Sequence, residues 1–256
     1  MPNKEITHIM DGARSDSKTN MRQLVNELFS DFFEIHGDRV NGDDAAIIAG
    51  FGILEGKSIA VVVTNKGQEL KERMATNFGS PLPQGYRKAL RIMKTAESMN
   101  LPIITLINTP GAYPGADAEI NGQGQVLAQS ISNMLELKVP ILTVIIGEAG
   151  SGGALALACS DEIWMLEHSM YTVLSPEGFA SIMWKDAKRA QDAAEIMHIE
   201  PEWLKQQGIV ERILPEKVLA NEAIQLKAML AQRLKEFNGL SVDELLNQRQ
   251  ARFRKF

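Results

Sequence analysis

A chain of 256 residues with 45% hydrophobic and 23% charged residues sits near the globular averages, which excludes a disordered chain and allows a substantial core. Its 27 Lys+Arg against 32 Asp+Glu give a net charge of −5, which argues against nucleic acid as the main partner. The single cysteine, Cys159, can form neither an internal disulfide nor a Cys-based zinc site and fits a reducing, cytoplasmic setting, while no apolar run points to a secretory leader or a membrane span.

Taken in chain order, residues 1–20 are polar and read as a mobile lead-in to a single domain over 21–256. Leu24, Val25, Leu28, Phe29, Phe32 and Phe33 fall at helical spacing, which predicts a helix over 21–33. Two β-like runs follow at 45–54 and 57–64, joined by Glu55-Gly56; the second is continuously apolar, as in a strand buried on both faces. A helix is expected over 85–99, entered after Pro83 and closed by Asn100 and Pro102. A buried strand over 102–108, a long helix over 119–137, a strand over 140–146 and a short helix of small residues over 151–159 come next. Short strands are expected at 162–166 and 170–174, then helices to the end apart from a last strand at 208–214. Strands alternating with helices predict an α/β architecture.

Two glycine-rich turns follow buried strands. One is Thr109-Pro110-Gly111-Ala112-Tyr113-Pro114-Gly115; the other is Gly147-Glu148-Ala149-Gly150-Ser151-Gly152-Gly153. The carboxyl ends of strands in α/β sheets are where ligands bind, and glycine lets a ligand approach the backbone. Gly152 and Gly153 open a helix, so their N–H groups lack intrahelical acceptors and can donate to a negatively charged oxygen. Tight turns with close helix packing account equally well for such glycines.

Other patterns carry less. After Gly150-Ser151-Gly152 a dinucleotide fingerprint needs a third glycine where Leu155 stands. Ser151 has the strand-to-helix place of a hydrolase nucleophile, with His168 as a candidate base, but Ala149 breaks the G-x-S-x-G pattern. Asp43-Asp44 and Asp161-Glu162 are paired acids without a histidine at ligand spacing, and read as caps or solvated groups. Lys66, Lys71, Arg73, Arg87, Lys88 and Arg91 form a basic cluster that suits the phosphates of an anionic substrate or simply a solvated helix face.

Together, Asn108 to Gly115, Ala118-Glu119, Gly122-Gln123, Val139-Pro140-Ile141 and Ile146 to Ala156 resemble the carboxyltransferase alpha-subunit family of bacterial acetyl-CoA carboxylase. Flanking matches are Asp31 to Arg39, Asn77-Phe78-Gly79, Gly85 to Leu90 and Leu174 to Gly178. The chain departs from the family pattern at Ala149, where glycine is usual, and at Thr64-Asn65-Lys66-Gly67-Gln68, where His-Gln-Lys-Gly-Arg is usual.

The resemblance implies a crotonase-like superhelix of β-β-α units with helical N- and C-terminal extensions. It implies transfer of a carboxyl group from carboxybiotin, carried on a biotin carboxyl carrier protein, to acetyl-CoA to give malonyl-CoA for fatty-acid synthesis. A zinc-ribbon beta subunit is the implied partner in an alpha2beta2 assembly, with biotin carboxylase acting separately and no metal in this chain. Gly152 and Gly153 are the implied oxyanion donors to the biotin ureido oxygen, with Gly111, Ala112, Tyr113, Gly150 and Ser151 lining the substrate. A serine hydrolase or Clp-type peptidase using Ser151, and a non-catalytic CoA-binding subunit, are the alternatives.

Overall fold

The computed structural model describes residues 4–15 and 18–255. It begins with α1 (Lys4–Arg14), α2 (Met21–Leu28) and β1 (Ser30–Glu34), followed by the hairpin of β2 (Ile47–Leu54) and β3 (Lys57–Thr64). Next are α3 (Leu70–Ala75), α4 (Pro83–Ser98), β4 (Ile103–Thr109), α5 (Ala116–Ile120) and α6 (Gln123–Glu136). Then come β5 (Ile141–Gly150), α7 (Ser151–Leu155), β6 (Glu162–Leu166), β7 (Met170–Thr172) and α8 (Pro176–Trp184). The chain closes with α9 (Ala190–Met197), α10 (Pro201–Gln206), β8 (Arg212–Leu214), α11 (Ile224–Phe237) and α12 (Val242–Phe253).

The strands form one eight-stranded sheet in the order β1-β2-β3-β4-β5-β6-β8, with β7 paired to the end of β5. β1, β2 and β3 are antiparallel neighbours, and the pairs from β3 onward are parallel. Continuous apolar sequence in the central strands follows from cover on both faces. In β3, Ala60 and Val62 enter a core shared with Tyr86, Ile92 and Met93 of α4, while Ile59, Val61 and Val63 enter a second core shared with α2 and α11. β5 divides in the same way, Ile141 and Ile145 to one side, Leu142, Val144 and Ile146 to the other. Thr105 and Thr143, buried between neighbouring strands, hydrogen bond to each other at 2.7 Å.

The α/β expectation holds, with local differences that have physical causes. The helix expected over 21–33 stops at Leu28, and Phe32 and Phe33 belong to β1, which covers the open edge of β2. Gly50 permits that pairing, because a Cβ there would stand 2.1 Å from the Phe33 carbonyl oxygen. The helix expected over 119–137 is broken at Gly122, whose φ of +87° starts α6 afresh. β5 runs on to Gly150 because β7 pairs with its last residues. β6 spans 162–166 as expected, β7 and β8 are shorter than expected, and the helix over 151–159 is one short turn, α7.

The lead-in reading of 1–20 is corrected at α1; residues 1–3, 16 and 17 lie outside the described part. Ile6, Ile9, Met10 and Ala13 form a buried stripe that packs with Met170, Ala194 and Ile199. At the other end, the fully buried Arg249 of α12 donates to the carbonyls of Met134, Leu137 and Val139 and grips Asp161 with two nitrogens at 2.8 Å each. Asp161 thus serves packing, as does Glu162, which accepts from Trp164 Nε1 and pairs with Arg233.

Candidate active site

The two glycine-rich turns meet at the carboxyl ends of β4 and β5. Thr109 Oγ1 donates to the Gly79 carbonyl at 2.6 Å and accepts from the Gly111 N–H at 3.0 Å. Gly111 has φ of +133°, which a side chain rarely adopts. Pro81 O accepts from Tyr113 N–H at 3.0 Å and Gln123 Nε2 at 2.9 Å, so the first turn is strapped to the loop before α4.

The second turn lies directly on the first. A Cβ at Gly150 would stand 2.0 Å from the Pro110 oxygen, and one at Gly153 would stand 2.2 Å from the Ala112 nitrogen. No side chain fits between these backbones, so the glycines are set by close approach. Gly152 differs: its Cβ would meet only Leu127 Cδ1, at 3.8 Å. Ser151 is exposed and holds φ of +54°, a left-handed conformation at the strand-to-helix junction. The structure thus brings Gly111, Ala112, Gly150, Ser151, Gly152 and Gly153 together. The Tyr113 ring lies against Gly115 within its own turn and is partly exposed.

The N–H groups of Ser151, Gly152 and Gly153 occupy the first turn of α7, with no carbonyl one turn back to accept them. Such donors suit an oxygen on which negative charge develops. Among the described residues no hydrogen bond joins Ser151 to a histidine. His168 stacks edge-on against His8, and its Nδ1 lies 3.7 Å from Glu216. The nucleophile-base pair of a serine hydrolase is therefore not assembled. Among the described residues there is also no group of three or more His, Cys, Asp or Glu side chains placed to hold a metal.

Much of the basic cluster is used internally. Lys88, fully buried, donates to Asp43 at 2.5 Å and to the Asp44 carbonyl at 2.9 Å. Arg87 Nε donates to Asp38 at 2.7 Å, and Arg91 holds the carbonyls of His36 and Gly37. These side chains staple the loop before β2 onto α4. Asp44 accepts from the Leu82 N–H, next to the first turn of α4, and burial pushes its carboxyl above the ordinary range. Lys66 donates to Glu148 at 2.8 Å, while Gln68 accepts from Asn20 and offers no charge.

Glu148 was not singled out by sequence reasoning. It is buried at the end of β5, two residues before Gly150, and is held by Lys66 and by Arg14 of α1. A lone acid within an apolar strand is the signal that could have marked it.

The carboxyltransferase-like family of acetyl co-enzyme A carboxylase matches residues 4–256. Acetyl-coenzyme A carboxylase carboxyl transferase subunit alpha of Streptococcus pyogenes (serotype M5, strain Manfredo) is 48% identical, covering 98% of this chain and 99% of that one. The Streptococcus thermophilus protein of the same name is 47% identical over the same shares. Among solved structures, transcarboxylase 12S has a TM-score of 0.73 at 19% identity, covering 93% of this chain and 45% of its own. A malonate decarboxylase hetero-tetramer from Pseudomonas has 0.71 at 17%, covering 92% and 97%. These likenesses bear out the crotonase-like fold. With the alpha-subunit relatives matched along almost their entire length, the chain belongs to the acetyl-CoA carboxylase carboxyltransferase family as an alpha subunit.

Proposed function

We propose that this chain provides the biotin end of a carboxyltransferase site that a beta subunit completes, carrying a carboxyl group from carboxybiotin to acetyl-CoA to give malonyl-CoA. The observation that carries the reading is the backbone contact of the two turns, with the donors of α7 beside Gly111 and Ala112. When bound, carboxybiotin supplies the carboxyl group and leaves a ureido group whose oxygen takes up negative charge. The residues fit it: the open face of Gly152 gives such an oxygen room, and the first-turn N–H groups of Gly152 and Gly153 donate to it. Donors fixed before charge develops lower the barrier without reorganising. Gly111, Ala112, Tyr113, Gly150 and Ser151 line the approach.

On this reading the partners are a zinc-ribbon beta chain in an alpha2beta2 assembly and a biotin carboxyl carrier protein, loaded by biotin carboxylase in the cytoplasm. Residues 21–256 act as one carboxyltransferase domain, with α1 packed onto it. The test is reconstitution. The pure chain should be inactive, and a co-purified beta chain should restore malonyl-CoA decarboxylation in the reverse direction. Full carboxyl transfer by the pure chain, or none with its beta partner, overturns the reading.

A further inference from the structure

We propose that Tyr86 is a positioning residue of the carboxyl transfer, its hydroxyl fixing the Gly153 carbonyl and so setting the donor turn against Gly111 and Ala112. The role in transfer rests on the donor reading above. Tyr86 lies on α4, is 0% exposed, and donates to the Gly153 oxygen at 3.1 Å. A Cβ at Gly153 would stand 2.6 Å from the Tyr86 hydroxyl oxygen, 2.2 Å from the Ala112 nitrogen and 2.8 Å from the Gly111 carbonyl carbon. The hydroxyl, the donor turn and the facing turn therefore converge on one point.

The helix leaves this carbonyl to Tyr86. In a regular α-helix the Gly153 oxygen accepts from the N–H of Leu157, four residues on. Here that N–H bonds the Ala154 oxygen at 3.0 Å, as α7 tightens at its end. A buried carbonyl with no donor is costly, and the Tyr86 hydroxyl supplies the donor. Burial pushes the phenol well above its ordinary range, so the hydroxyl stays protonated and keeps donating. α4 is a firm base for it: Asp44 accepts from Leu82, Arg87 grips Asp38 and Lys88 grips Asp43. A residue present only to fill the core would not need the hydroxyl.

The test is Tyr86→Phe, which keeps the ring, in the full chain co-purified with its beta subunit. Two quantities are read: the kcat and KM of carboxyl transfer, and native-state hydrogen exchange at the Leu155 and Ala156 amides of α7. The expected result is a kcat roughly tenfold lower with KM within about twofold, and exchange at those amides faster by roughly tenfold, while the complex still assembles. Unchanged exchange overturns the proposal whatever kcat does. Faster exchange with unchanged kcat overturns it too, since the turn then moves without consequence for transfer. If the parent complex transfers no carboxyl group, the donor reading fails and the role in transfer falls with it, whereas exchange still reports on the hydrogen bond itself.

Discussion

Arg14 Nε donates to Glu148 Oε1 at 2.7 Å, joining α1 to the end of β5, while its Nη1 reaches Glu177 Oε1 at 2.6 Å on α8. The hydrogen bond with Glu177, and then that with Glu148, hold the guanidinium pKa above its ordinary value against the opposing effect of burial. One side chain thus ties three elements around the end of the strand that leads into the donor turn. Arg14→Ala leaves the buried Glu148 with Lys66 as its remaining cation. Loss of one partner of a buried charged group costs about 1–3 kcal/mol, partly offset because Arg14 reaches solvent. Arg14→Lys should recover little, because an ammonium cannot span two carboxylates as the planar fork does. Denaturant melts of the two variants check this, and parent-like stability in Arg14→Ala would remove the clasp from the account.

How much of this was legible in the sequence depended on whether the deciding partner was local. The apolar runs of β3 and β4 announced burial on both faces, and the glycines at 111, 150 and 153 announced close backbone approach, whereas the open space at Gly152 has no signal in the sequence. β1 was not legible, since Phe32 and Phe33 fit a helical stripe equally well and only the edge of β2, with Gly50 beneath, makes them a strand. In α1 the apolar spacing was present but thin, four apolar residues among polar ones, and its cover comes from β7 and α9 far along the chain. Glu148 stayed hidden because its cations come from residues 14 and 66.

Ser151→Ala and Ser151→Gly should each keep kcat within about tenfold of the parent, since among the described residues no hydrogen bond joins the exposed hydroxyl to a histidine. The glycine variant should also melt no lower than the alanine one, because φ of +54° disfavours a Cβ. Steady-state rates and melting curves decide this. A loss of roughly 10⁴ in a folded variant would make Ser151 a nucleophile after all.

Asp38 gives the acid limb of stability a definite sign. Burial works to raise its carboxyl, but the Gly42 N–H, Arg87, and the N–H groups of Val40 and Asn41 outweigh it and hold the group well below the usual range. A depressed folded pKa contributes stability that is fully present above the unfolded value, about 3.9, and is lost as pH falls toward the folded one. The contribution is on the order of 2 kcal/mol. Asp38→Asn should therefore be less stable at pH 7 and show a flatter decline between about pH 5 and 2. An acid limb as steep as the parent's would show that other groups control it.

Cys159 is buried, its Sγ donating to the Leu155 oxygen at 3.3 Å, and burial pushes the thiol up to about 12. Only the thiolate is alkylated, so the native chain should resist iodoacetamide at pH 8 and react once denaturant is added. A raised thiol pKa also means that stability is held below the unfolded value and is lost as pH rises above it, near 9. Rapid labelling of the native chain at pH 8 would show that the end of α7 opens readily.

The donor assignment itself needs a test that changes a hydrogen-bond donor and nothing else. Alanine at Gly153 does not qualify, because its Cβ would collide with the Ala112 nitrogen at 2.2 Å, and inactivity would report the clash. Proline at Gly152 does not qualify either, because proline restricts the residue before it and Ser151 holds φ of +54°. Replacing the amide by an ester, with glycolic acid in place of glycine, removes one N–H and keeps the shape. Made separately at Gly152 and Gly153, the ester should lower kcat by about 10²–10³ at whichever position donates to the charged oxygen. Where the N–H faces elsewhere, the ester should cost less than about tenfold, the ordinary effect of one net hydrogen bond. Gly152→Ala tests the room instead: its Cβ meets only Leu127 Cδ1 at 3.8 Å, so the fold should be unchanged, and a fall in kcat would place the charged oxygen on that open face. If both esters transfer the carboxyl group at the parental rate in a folded complex, neither glycine is a donor, and the charge must be met elsewhere, with the facing Ala112 N–H the next candidate because the Gly111 N–H is held by Thr109 Oγ1.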